Sequence, residues 1–136
     1  MESIERMIST SPSKPLLKTG DVDCIAACAE CAVICISCAD ACLAEAQVAE
    51  LRRCIRLNQD CADICSITAR LVSRLLQPEV GVLRAQLEAC ALICASCGAE
   101  CRKHAQHHEH CKVCADACRR CDEQCRKALS SLQAAA

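Results

Sequence analysis

The sequence predicts an all-α protein, an antiparallel up-down-up-down four-helix bundle with a short N-terminal appendage, and three observations carry that prediction. Cysteine fills 18 of 136 positions and recurs in four separate segments at steps of three and four residues, with one step of seven from Cys54 to Cys61. The chain has no Phe, Tyr or Trp and only three Gly and three Pro, so an ordinary aromatic-anchored core is excluded. The segments are joined by short connections, which make sequential helices antiparallel neighbours.

Residues 1–18 form the appendage, in which Ile4 to Ile8 has room for one or two helical turns docked on the bundle, ahead of Pro12 and Pro15. The bundle occupies residues 19–136. Its first helix is expected over about Thr19–Gln47, with Gly20, Asp21 and Asp23 near the positive end of the helix dipole. Here Cys24, Cys28, Cys31, Cys35, Cys38 and Cys42 follow steps of 4, 3, 4, 3 and 4, a mean of 3.6, so all six thiols share one stripe of one helix. Beside them Ile25, Ala29, Ala32, Ile36 and Leu43 form a second apolar stripe, more than one bundle needs to bury, which predicts self-association.

The second helix, about Ala49–Gln77, carries Cys54, Cys61 and Cys65, and Asn58 stands where the period would place another thiol. It stops before Pro78, which suits the first turn of the next helix. The third, about Glu79–Lys103, bears Cys90, Cys94, Cys97 and Cys101; the fourth, about His108–Leu132, bears Cys111, Cys114, Cys118, Cys121 and Cys125. Polar residues such as Arg52, Arg56, Asp63 and Arg70, or Lys112, Asp116, Arg119 and Asp122, read as solvated outer faces.

Aligning the four stripes from the end that holds the first and third interhelical connections gives six layers. The top layer holds Cys42, Cys54, Cys101 and Cys111; the next Cys38, Asn58, Cys97 and Cys114; then Cys35, Cys61, Cys94 and Cys118; then Cys31, Cys65, Cys90 and Cys121. Below, Cys28 and Cys125 share a layer with Thr68 and Leu87, and Cys24 faces Val72, Leu83 and Leu129, an aliphatic plug. At the opposite mouth the thiol stripes continue into His104 and into His107 or His108, with His110 beside them. A helix-end histidine is commonly a solvated cap; clustering on the thiol stripes points to a ligand role for one or two.

Eighteen inward thiols need a chemical reason, because Ala, Val or Leu would fill the same space without oxidation risk. The 16 Lys and Arg against 17 Asp and Glu give a net charge of −1, which supplies no attraction for nucleic acid or anionic lipid. Met1 to Pro15 shows no apolar signal core or twin-Arg pair, so no export signal and a cytoplasmic location are expected. The uncharged stretch Cys31–Ala39 is nine residues long, bounded by Glu30 and Asp40, against the ~20 of a membrane span, so no transmembrane helix is expected. A reducing cytosol and long stripes disfavour disulfides. Loops of the iron–sulfur type are lacking.

Metal storage remains, and charge selects the metal. Thiolate is the binding form, so filling the core releases many protons, and buried uncompensated charge costs several kcal/mol per ion. Zn²⁺ held by four thiolates leaves its site at about −2, whereas a monovalent soft cation replacing each proton keeps the core neutral. Cu(I), selected by soft thiolates, then fits at roughly one ion per cysteine, on the order of 18. Residues three or four apart on a helix lie ~5–6 Å apart at Cβ, and two metal–sulfur bonds of ~2.3 Å in line span ~4.6 Å. Each C-x2-C or C-x3-C pair can therefore clamp an ion. Asn58 lies within reach as an amide-oxygen ligand, as a spacer, or as a satisfied buried polar group.

With these residues in view, the sequence resembles the bacterial copper storage proteins, four-helix bundles lined with cysteines that bind many Cu(I) ions, over about residues 19 to 132. The lack of an export signal places it with their cytosolic branch. The resemblance implies that each cysteine on the matching stripes is a Cu(I) thiolate ligand, that His104, His108 and His110 are mouth ligands, that copper arrives at the histidine end, and that the protein is a homotetramer. Its partners on this reading are copper ions, copies of itself and a copper chaperone, and it is not an enzyme. The competing readings are a general thiolate buffer for Zn, Cd or Ag and a thiol redox or electron-transfer protein; no activated cysteine pair singles itself out for the latter.

Overall fold

The computed structural model describes residues 2–12 and 21–135. In chain order it contains α1 (Glu2–Ser9), α2 (Asp21–Leu43), a short 3-10 helix (Val48–Leu51), α3 (Arg52–Val72), α4 (Val80–His104) and α5 (Glu109–Ala135), with no strand among the described residues. α2 packs on α3 and α5, α4 packs on the same two, and no close backbone contact crosses either diagonal among the described residues. The four long helices thus stand at the corners of a square and alternate in direction, as the sequence predicts. The stripe each turns to the axis is its row of thiols: every cysteine is buried, at 2 % exposure or less.

Where helices end, tertiary demands override local preference. The segment Ala44–Glu50 is rich in good helix formers, and the sequence expectation carries the first helix to Gln47 and restarts at Ala49. The structure ends α2 at Leu43. Tight turns follow, in which the Ala44 and Glu45 amides donate to the Ala41 and Cys42 carbonyls. A reversal that brings Cys54 beside the top of α2 needs several non-helical residues, and burial of Leu51 and Cys54 repays the small propensity lost. At the other end α3 stops at Val72, short of the expected Gln77. The Ser73 hydroxyl donates to the Ala69 carbonyl at 2.6 Å, and Gln77 takes φ 52°, in the left-handed region, while the following Pro78 disfavours right-handed helix at Gln77. α4 and α5 begin one residue later than expected, at Val80 and Glu109, and run on to His104 and Ala135. Thr19 and Gly20, expected in the first helix, lie outside the described residues.

The end of the bundle remote from the α2–α3 connection is closed by Val72, Leu83, Leu87 and Leu132, each at most 3 % exposed. Thr68 joins this plug with its polarity satisfied: its hydroxyl donates to the Ile64 carbonyl at 2.8 Å and accepts from the Gln86 amide at 3.0 Å. Leu129, expected in the plug, is only partly buried, and Leu132 one turn further on takes the closing position. Ile4 and Ile8 of α1 lie partly buried against the core, while Met7 is exposed. By length and composition α2 and α4 are each apolar enough to cross a membrane, which the nine-residue uncharged stretch did not suggest. Much of that apolarity is cysteine and alanine turned into the bundle, with Cys24 to Cys42 and Cys90 to Cys101 all buried.

Candidate metal centre

All 18 thiols are free and buried. They form one column, because four helices at 3.6 residues per turn each deliver a thiol to the axis roughly every 5 Å. Neighbouring Sγ atoms lie 3.6–4.0 Å apart, both along one helix, as in Cys31–Cys35 at 3.7 Å and Cys61–Cys65 at 3.8 Å, and across helices, as in Cys54–Cys101 at 3.6 Å and Cys90–Cys121 at 4.0 Å. With metal–sulfur bonds of ~2.3 Å, tetrahedral and trigonal sites require Sγ separations of about 3.8 and 4.0 Å, and a linear pair about 4.6 Å. Three- and four-sulfur sites therefore need almost no movement, and a linear site needs a side-chain adjustment of well under 1 Å.

Cross-helix pairs outnumber the in-helix clamps that the spacing singled out. Four-thiol groups whose sulfurs all lie within 4.8 Å of one another include Cys28, Cys90, Cys121 and Cys125; Cys31, Cys65, Cys94 and Cys121; Cys31, Cys35, Cys61 and Cys118; Cys35, Cys97, Cys114 and Cys118; and Cys38, Cys42, Cys54 and Cys111. The first four groups are linked in turn by shared thiols, Cys121, then Cys31, then Cys35 and Cys118, and each of the five takes members from two of the expected layers. The layers exist, but staggered, so adjoining sites overlap rather than stack. Gly98 belongs to this geometry: a Cβ there would sit 3.3 Å from Cys118 Cβ and 3.7 Å from the Ala115 carbonyl, so its missing side chain lets α4 and α5 approach at that level. No periodicity argument identifies that position.

Asn58 is fully buried in the column. Its Oδ1 accepts from Cys97 at 3.0 Å, Cys114 at 3.1 Å and Cys101 at 3.6 Å, and its Nδ2 donates to Cys54 at 3.6 Å. The amide is thus fully engaged with thiols on three helices. The histidines separate. His110 sets Nδ1 3.4 Å from Cys38 Sγ and 3.6 Å from Cys111 Sγ. His108 stacks on His110 with ring centroids 5.5 Å apart and turns Nδ1 to Glu45. His104 places Nε2 2.8 Å from Glu100 on its own helix, and His107 is exposed. Glu45 and Glu100 were not legible as site residues, since nothing local distinguishes either glutamate.

Proton affinity varies along the column. Hydrogen bonding from Cys101 leads in drawing Cys38 down to about 6, while burial pushes Cys42 up to about 11 and also raises Cys111. Down α2 the direction alternates: Cys31 is lowered by hydrogen bonds from Cys118 and Cys121, and Cys28 and Cys35 are raised by their thiol neighbours. A thiolate is stabilised by S–H donors beside it, and those donors must then keep their protons. Burial disfavours a charged His110, but its contacts with Cys38 and Glu45 outweigh burial and the net direction is upward. Glu45 is lowered, chiefly by the hydrogen bond from His110.

Comparison with known proteins agrees with this geometry. The profile of the copper storage protein family matches residues 18–130. The chain belongs to that family. A copper storage protein from Streptomyces lividans, Ccsp, loaded with 10 copper equivalents, superposes with TM-score 0.90 at 45 % identity, covering 94 % of this chain and 98 % of that one. The same organism's cytosolic copper storage protein with five coppers gives TM-score 0.80 at 50 % identity, over 82 % of this chain and 92 % of that one. The Cu(I)-bound copper storage protein BsCsp3 gives TM-score 0.69 at 40 % identity, over 78 % of this chain and 94 % of that one. An uncharacterized cysteine-rich protein of Bacillus subtilis strain 168, YhjQ, is 42 % identical over 94 residues, 69 % of this chain and 82 % of its own length.

Proposed function

We propose that this protein is a cytosolic reservoir for Cu(I), held as copper thiolate along the bundle axis with all 18 cysteines as ligands. The observation that carries the reading is the column of 18 buried free thiols, whose neighbouring Sγ atoms lie as close as 3.6–4.0 Å and gather in groups of four, several of them overlapping. Each uptake step exchanges a proton for a copper ion: the S–H bond breaks, an S–Cu bond forms, and H⁺ leaves to solvent. The interior then stays close to neutral, which divalent ions at four thiolates each would not allow. Overlap lets one sulfur bridge two ions, so capacity approaches one Cu(I) per cysteine.

Support also comes from the relatives, whose copper-loaded and Cu(I)-bound forms share this fold at 40–50 % identity. His110, beside Cys38 and Cys111, is the mouth histidine suited to receive copper; His104 and His108 stand behind it. Exposed Val33, Ile36 and Leu43 on α2 suit burial in a homotetramer, and a copper chaperone is the fitting donor. Anaerobic titration of the reduced protein with Cu(I) against a competing chelator tests the reading. We expect on the order of 18 ions; saturation at four or five, or preference for Zn²⁺, would overturn it in favour of a general thiolate buffer.

A further inference from the structure

We propose that Glu45 is a positioning residue for copper loading: its carboxylate holds His110 in the one orientation and tautomer that leave Nδ1 open toward Cys38 and Cys111. The inference rests on the Cu(I) storage reading and extends it to a residue outside the thiol array.

Glu45 lies in the connection that follows α2, and the rings it meets come from the start of α5 and the residue preceding it. One oxygen, Oε2, contacts both His108 Nδ1 and His110 Nε2, the latter at 3.2 Å. A carboxylate only accepts, so His110 must carry its hydrogen on Nε2 to make this bond. In the neutral ring Nδ1 is then a bare lone pair, and it is this atom that lies 3.4 Å from Cys38 Sγ and 3.6 Å from Cys111 Sγ. One nitrogen and two sulfurs, all borderline or soft donors, converge on the point where the column meets the mouth. A carboxylate behind a histidine fixes tautomer and ring plane and raises basicity, and removing such a group commonly costs ~10–100-fold in metal affinity or activity.

His104 offers a contrast. Its carboxylate, Glu100, sits one turn away on the same helix, so it holds the ring along α4, and no thiol hydrogen-bonds His104 among the described residues. Glu45 reaches across from a different connection and turns its histidine inward.

The rival role for Glu45 is a mere tie between the two mouth connections. To separate the two, apo-protein labelled with ¹⁵N-histidine reports the His110 tautomer through two-bond ¹H–¹⁵N correlations, and stopped-flow mixing with Cu(I) under anaerobic conditions gives the uptake rate. Variants Glu45→Ala, Glu45→Asp, His110→Ala and the double variant Glu45→Ala/His110→Ala are compared, with apo unfolding temperature and total capacity recorded for each. We expect Glu45→Ala to leave His110 a mixture of tautomers and to slow uptake about tenfold at unchanged capacity. Glu45→Asp should recover much of the rate, and the double variant should load no more slowly than His110→Ala alone. Slowing that adds in the double variant, an unchanged tautomer, or an unchanged rate would overturn the proposal. Wild-type protein that takes up only a few ions defeats the storage reading instead, while the tautomer measurement still decides whether Glu45 governs His110.

Discussion

The two ends of the bundle are built from the same four helices at the same period, yet they are chemically opposite. At the mouth the thiol column meets His110, His108 and Glu45, groups that exchange protons with water. At the far end it meets Val72, Leu83, Leu87 and Leu132, which carry no donor or acceptor. A charged ion crossing an aliphatic plug would leave water with nothing to replace its hydration. On the storage reading this contrast gives the column a direction, with ions and displaced protons exchanging at the histidine mouth.

The most severe disturbance of that contrast is Leu87→Ala. Leu87 is wholly buried, so the change should lower apo-protein stability by about 2–5 kcal/mol, read from denaturant unfolding, while the Cu(I) uptake rate stays the same. Faster uptake would mean that the plug had been a barrier to a second route. A smaller effect separates the ends by kinetics. Replacing Cys42, Cys54 and Cys111 by Ala should slow loading by roughly tenfold, about 1.4 kcal/mol in activation free energy. Replacing Cys24, Cys28 and Cys125 should lower capacity by about three ions and leave the rate alone. Equal rates for the two triple variants would place ion access elsewhere.

The mildest test concerns Asp21 at the start of α2, which is buried, has no partner for Oδ1 among the described residues, and is raised to about 7, chiefly by burial. A carboxyl whose folded value exceeds its unfolded one favours the folded state least when ionised. Below pH ~4 both states are protonated and the group is neutral to stability; from there to about pH 7 its penalty grows, and above that it is complete. Asp21→Asn should therefore raise the apo unfolding temperature by a few degrees at pH 8 and leave it unchanged near pH 4. A gain of the same size at both values would point to packing instead of charge.

Much of this was readable from residue order alone, because a step of three or four residues has one consequence in a helix: the repeated side chain returns to the same face. Cys24 through Cys42 could lie nowhere but on one stripe, and the layer of Cys38, Cys97 and Cys114 around Asn58 follows from antiparallel stripes of equal pitch. The breaks at Ala44 and Ser73 were not readable, since both segments are locally good helix and yield to chain reversal. Nor was the stagger that pairs Cys35 with Cys97 and Cys114, which depends on the axial offset between helices. Glu45 shows the limit most plainly: 65 residues separate it from His110, and an unremarkable glutamate becomes part of the mouth only when two connections face each other.

Composition and period therefore settle that the protein is helical and that its interior is sulfur, and they point to soft metal as its chemistry, for these follow from covalent spacing along a single chain. Which thiols lie close together, which histidine meets the column, and which carboxylate meets that histidine depend on offsets of an ångström or two between separate helices. Those offsets are set by how Gly98, Leu87 and the connections pack, a balance of contacts distant in the chain that no local pattern encodes.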